Sequence, residues 1–335
     1  MIVSAELSNN DFTPSFDSQL LQSSHRGSNR FVANWRPDDL LRHKNQWQFE
    51  LAARYPTLVK EAAQFTARGL HWNDYLRVAQ MIDLATLRSR LSKMLYDEYG
   101  VALLRIPPEL SDDSLRLLVL LVGSALGRNV SPCVGSKARP LFAITATPDP
   151  TIGGRYGGNG RNSKRLALHT DGSGIHSHRV DVLGMLCLQA AQEGGSSRIA
   201  DARTAWLLLR RETRVLLCTP LPRTDPYAPG LPISSLITRP VFEQRMSRIG
   251  RALSFSYHPN RVRDGVGMLH WGAIERQLEN ALCQLDDALE KSSIEVLLNR
   301  GDILILNNSL IAHGRTAFKD DPAHPRLLER LWVEV

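Results

Sequence analysis

The stretch Arg165-Leu166-Ala167-Leu168-His169-Thr170-Asp171 alternates apolar and polar side chains and reads as a β-strand. Residues two apart on a strand project to one face. His169 and Asp171 therefore stand side by side, with Leu166, Leu168 and Thr170 opposite. Far downstream, Leu310-Ile-Ala-His-Gly-Arg315 supplies a second imidazole, His313. Two imidazoles and one carboxylate form the facial set that holds non-haem Fe(II) and keeps positions open for O2 and a co-substrate. Read this way, the residues point to an oxygenase.

The chain beyond His313 strengthens that reading. After a polar turn at Lys319-Asp-Asp-Pro322, the run Pro325-Arg-Leu-Leu-Glu-Arg-Leu-Trp-Val333 predicts a final strand. There Arg326 and Arg330 share a face with Leu328 and Trp332, which puts Glu329 on the other side. Two arginines projecting inward beside a metal require anions, because unpaired buried charge is expensive. A guanidinium fork pairs bidentately with a carboxylate, so a dicarboxylic co-substrate suits it.

These motifs resemble the taurine dioxygenase/clavaminate synthase-like group of Fe(II)- and 2-oxoglutarate-dependent oxygenases. The resemblance rests on His169-x-Asp171, Asp181-Val-Leu-Gly-Met-Leu-Cys-Leu188 and Gly194-Gly-Ser-Ser-Arg198. Gly301-Asp-Ile-Leu-Ile-Leu-Asn-Asn308, His313-Gly-Arg315 and Arg326-x-x-x-Arg330 complete it, and it runs from about residue 83 to the C-terminus. It implies iron on His169, Asp171 and His313. It also implies the distal carboxylate of 2-oxoglutarate on Arg326, with Ser197 and Arg330 as further contacts. The implied reaction converts 2-oxoglutarate and O2 to succinate and CO2 while a substrate C–H is hydroxylated, desaturated or cyclised. Many amino-acid hydroxylases of the clavaminate branch carry Glu as the iron carboxylate, whereas this chain has Asp171. A carboxylate there argues against a halogenase. The substrate expected is a small anionic or zwitterionic metabolite, such as an amino acid or derivative, met by Arg330, Arg155 or Arg315. Arg315 either faces the cavity or closes a turn. The alternatives are a metal-dependent hydrolase on the same residues, or a non-catalytic jelly-roll binding protein.

At 335 residues, 43% hydrophobic and 22% charged, the composition is that of an ordinary globular protein with one large core. The net charge of +7 is dispersed, with no long Lys/Arg run and no interleaved aromatics, so nucleic acid is not expected as a partner. The four cysteines are far apart and form no CxxC, which excludes the usual zinc and redox motifs. Reduced thiols and an N-terminus without signal-peptide character predict a cytoplasmic protein without a membrane partner. Nothing in the sequence speaks to oligomeric state.

The predicted architecture is mainly β with flanking helices, around a double-stranded β-helix (jelly-roll) core. Residues 1–30, rich in Ser, Asn, Asp and Gln, read as a tail, and 31–82 as a helical extension packed on the core by Trp35, Trp47 and Trp72. The oxygenase domain is expected over 83–335, with a helical insert near 271–291. Within it, Gly153-Gly-Arg-Tyr-Gly-Gly-Asn-Gly160 reads either as a surface loop or as a lid near 149–164. Asn307 and Asn308 read as a turn. His176, His178, His258, His270 and His324 lack a same-face partner at ligand spacing.

Overall fold

A computed structural model describes residues 34–131, 139–146, 162–173, 180–225, 236–247, 250–269 and 273–335. The expected tail, the expected lid up to residue 161, and Arg155 lie outside these.

Two sheets form the core. The larger runs, in order, through Gln48–Glu50, Val101–Arg105, Ile303–Asn307, Val182–Gln189, Leu327–Glu334 and Arg128–Val130, with Leu141–Ile144 also alongside Leu327–Glu334. The smaller comprises Ser293–Val296, Ser197–Asp201, Ile311–Arg315 and Leu166–His169. The strands Val182–Gln189 and Ile303–Asn307 are buried almost throughout, so their sequences read as continuous apolar runs instead of alternating ones.

Helix Asp112–Leu126 covers the outside of the larger sheet and buries Leu115, Leu117, Leu118, Leu120 and Leu121. Ser111 caps it, its Oγ accepting from the Ser114 amide at 3.2 Å, and Asp112 and Asp113 complement the helix dipole. Helix Ala273–Lys291, the expected insert, covers the smaller sheet together with Pro259–Leu269.

Cross-strand pairing sorts the faces of the smaller sheet. His313 pairs with His169 and with Ile199, and Arg315 pairs with Ser197. Directly opposed residues share a face. His169, His313, Ile199, Ser197 and Arg315 thus look toward the larger sheet, while Leu168, Ala200 and Ala312 pack under the helices.

Three details differ from the sequence reading. The strand bearing the HxD motif stops at His169, and Asp171 lies in the turn beyond it. Thr170 donates its amide to the Tyr257 carbonyl at 2.7 Å and accepts from the Tyr257 amide on Oγ1 at 2.9 Å, which draws the chain out of the sheet. Next, the segment between 31 and 82 is not purely helical. Gln48–Glu50 joins the larger sheet parallel to Val101–Arg105, and Trp35 and Trp47 are buried in the main core. Last, the final strand begins at Leu327, after Arg326, and a register shift falls between Leu327 and Leu328. Among the described residues no helix is long and apolar enough to cross a membrane.

Candidate metal centre

His169, Asp171 and His313 converge between the sheets, with one donor atom from each all within 4.8 Å of one another. Oδ1 of Asp171 lies 3.6 Å from Nε2 of His169 and 3.8 Å from Nε2 of His313. Those separations are too long for hydrogen bonds. Metal bonds of about 2.1 Å place adjacent ligand atoms about 3–4 Å apart, so the three atoms are spaced as ligands of one ion.

The local chemistry prepares each donor. Nδ1 of His169 lies 2.9 Å from the Ala167 carbonyl. Donation there puts the proton on Nδ1 and leaves the Nε2 lone pair for the centre. Burial, with His169 beside it, pushes the His313 imidazole down to about 3, so it is neutral and able to ligate. Burial opposes ionisation of Asp171, but the Arg330 guanidinium beside it outweighs burial. The carboxyl is held well below the usual range. Two imidazoles and an ionised carboxylate fit a divalent iron.

Asp171 is held from three sides. Asn308 accepts its amide N–H on Oδ1 at 3.0 Å and donates from Nδ2 to its carbonyl at 3.0 Å. Arg330 Nη1 and Trp332 Nε1 both donate to its Oδ2, at 3.1 and 2.7 Å. The anion that sequence reasoning required of a substrate for Arg330 is thus supplied within the protein. Parity correctly removed Glu329, which faces away and accepts from Arg116 at 2.9 Å.

Arg326 is buried, with its amide donating to Asp320 at 2.9 Å. Arg326 and Arg315 both lie over the Phe318 ring, at 5.2 and 4.5 Å from its centroid. Arg315 donates to the carbonyls of Asn162 and Lys164, the latter at 2.7 Å. It therefore ties down the chain entering the strand that carries His169, on the same strand face as His313. Burial and the neighbouring Arg326 lower its guanidinium to about 9, and burial also lowers Arg326. Ser197 is buried directly opposite Arg315.

Residues 69–332 match the family model described as taurine catabolism dioxygenase TauD, TfdA family. The chain belongs to this family. Among curated relatives of this TauD/TfdA-family protein, uridine-5'-phosphate dioxygenase from Streptomyces sp is 28% identical over 171 residues. That alignment covers 48% of this chain and 59% of the relative, so less than two-thirds of the relative is spanned. Among solved structures, asparagine oxygenase superposes with a TM-score of 0.67 at 20% identity, covering 86% of this chain and 93% of that one. The non-haem iron oxygenase OrfP, solved with Fe and alpha-ketoglutaric acid, gives 0.62 at 18% identity over 85% and 93%. At such identities the likeness establishes the jelly-roll fold.

Sequence reasoning assigned no role to Asn308, Trp332 or His258 at this centre. Trp332 shares parity with Arg330, which was the available signal. Asn308 sat within a pair read as a turn. The His258 ring packs 4.9 Å from that of His169, yet it lies outside the donor set.

Proposed function

We propose that this protein is an Fe(II)- and 2-oxoglutarate-dependent oxygenase. Its substrate is a small zwitterionic or anionic metabolite, an amino acid or a derivative of one, oxidised at an unactivated C–H bond. The observation that carries the reading is the convergence of His169, Asp171 and His313 on a single point, on the sheet face that also presents Arg315.

Bound iron supplies activation of O2, coupled to conversion of 2-oxoglutarate to succinate and CO2. The protein's own residues hold and orient. His169, Asp171 and His313 bind the ion. Arg326 takes the distal carboxylate of 2-oxoglutarate, and Ser197 and Arg315 line the same face. Arg330 offers its Nε, which has no hydrogen-bond partner among the described residues, to a carboxylate entering beside Asp171. Buried Ile199, directly opposite His313, keeps the wall apolar and limits water.

Buried cations at Arg315 and Arg326 favour this reading over a hydrolase on the same triad, which has no use for a dicarboxylate clamp. Two structural relatives support the substrate class: asparagine oxygenase with 3-hydroxyasparagine and OrfP with hydroxyarginine. A nucleoside monophosphate is the second reading, favoured by the sequence similarity to the uridine-5'-phosphate enzyme.

The test is succinate release with Fe(II), 2-oxoglutarate and a panel of amino acids, amino-acid derivatives, nucleoside monophosphates and neutral analogues. Stimulation by an amino acid or derivative supports the proposal, and stimulation by nucleotides alone replaces its substrate class. A protein that binds neither Fe(II) nor 2-oxoglutarate is not an oxygenase of this kind.

A further inference from the structure

We propose that Trp332 is a positioning residue of the metal centre: together with Arg330 it occupies both lone pairs of Asp171 Oδ2, so that the carboxylate ligates through Oδ1 alone. The inference rests on the reading of this site as an iron centre and specifies how its carboxylate is held.

A carboxylate oxygen has two in-plane acceptor directions. Oδ2 of Asp171 receives the Trp332 indole N–H at 2.7 Å and an Arg330 guanidinium N–H at 3.1 Å. Oδ1 instead faces Nε2 of both His169 and His313. The two oxygens are therefore unequal before any ion arrives, one saturated by donors and the other directed at the ligand cluster. A carboxylate able to use both oxygens would chelate and take an extra coordination position. Held by Oδ2, Asp171 would offer a bound ion only Oδ1.

The two donors are themselves fixed. Arg330 and Trp332 lie two apart on the final strand of the larger sheet and so share a face. The Arg330 guanidinium sits between two rings, 5.1 Å from the centroid of Phe142 and 4.9 Å from that of Trp332. Trp332 is 2% exposed and lies opposite Leu183 in the sheet. The contact spans the cleft, because Asp171 follows a strand of the smaller sheet. Trp332 contributes differently from Arg330. A neutral N–H restrains the carboxylate without adding charge, so orientation is set apart from the electrostatic balance that keeps Asp171 ionised.

Trp332→Phe keeps a ring against Arg330 and removes the N–H. Co(II) and anaerobic Fe(II) affinity is expected to fall 10- to 100-fold, the range seen when partners of metal ligands are removed. The visible band of the anaerobic Fe(II)–2-oxoglutarate complex should move to longer wavelength, since a carboxylate relieved of a hydrogen bond donates more charge. The thermal midpoint of the metal-free variant should stay within a few degrees of the parent. A lowered midpoint with unchanged metal affinity and an unchanged band means a packing role only and overturns the proposal. Should Trp332→Phe not fold, Arg330→Gln removes the other donor to the same oxygen. It must weaken affinity and shift the band in the same direction, and a parental band and affinity there overturns the proposal too. A parent protein that binds no Co(II) or Fe(II) overturns the metal-centre reading together with this one. A metal-binding parent with indifferent variants removes this proposal alone.

Discussion

Asn308 brackets Asp171 through the backbone, taking its amide N–H on Oδ1 and returning an Nδ2–H to its carbonyl, both at 3.0 Å. A second Nδ2 bond reaches the Val180 carbonyl at 2.8 Å. The turn that carries Asp171 thus depends on a side chain at the end of a strand in the other sheet. Asn308→Ala leaves a buried amide N–H and two carbonyls short of partners, and unfolding free energy should fall by about 2–3 kcal/mol. Chemical denaturation of the metal-free protein checks this. Metal affinity measured on the folded variant should fall as well, because Asp171 loses its backbone register.

His313→Ala removes one of the three converging donors and should abolish Fe(II)-dependent turnover of 2-oxoglutarate. Retained turnover would reassign the iron site.

Arg326→Ala should raise the apparent constant for 2-oxoglutarate at least about tenfold. Loss of a charge-assisted pair in a desolvated site costs about 2–5 kcal/mol. Fe(II) affinity without co-substrate should stay at the parental value, as Arg326 is not among the converging donors. An unchanged constant would move the anchor to Arg315 or Arg330.

Gly195 holds φ at +74°, and a Cβ there would lie 3.3 Å from Nε of Arg326 and 3.4 Å from Cβ of Phe318. Gly195→Ala should destabilise the protein by about 1–2 kcal/mol from the left-handed backbone alone. The nearest contact, 3.2 Å, is with Cβ of Ala191, but because Arg326 is also crowded the variant should weaken 2-oxoglutarate binding more than Fe(II) binding. Paired titrations of the two ligands against the variant test that split.

The metal-free protein should lose stability on acidification before ordinary carboxylates titrate. Burial lowers His313 to about 3 and holds His258 well below its usual value. Between that depressed range and about 6.5 the unfolded chain binds protons that the folded chain refuses. Stability therefore falls as pH drops through this window, by up to about 1.4 kcal/mol per pH unit for each such imidazole. Asp171, depressed in the folded state, contributes stability above the ordinary carboxylate range and loses it only at lower pH. Urea midpoints measured from pH 7 to pH 4 should decline, and His258→Phe should flatten the slope.

The one-dimensional pattern determined the chemistry-bearing residues. The HxD spacing picked out His169 and Asp171, although Asp171 sits in the turn after the strand, and parity on the last strand separated Arg330 and Trp332 from Glu329, while Arg326 precedes that strand. Ala273–Lys291 was legible because amphipathic periodicity acts within a few residues. These are local signals, and local stereochemistry enforces them whatever the rest of the chain does. Tertiary structure decided what each charge meets. Arg330 finds Asp171, 159 positions away in sequence, and Trp332 finds the same oxygen. Asn308 reads as a turn residue until the sheets bring it to Asp171, and Gln48–Glu50 becomes a strand only because Val101–Arg105 offers an edge. Hydrogen bonds and ion pairs across the cleft depend on how two sheets stack, and no periodicity along a single strand encodes the partner on the other.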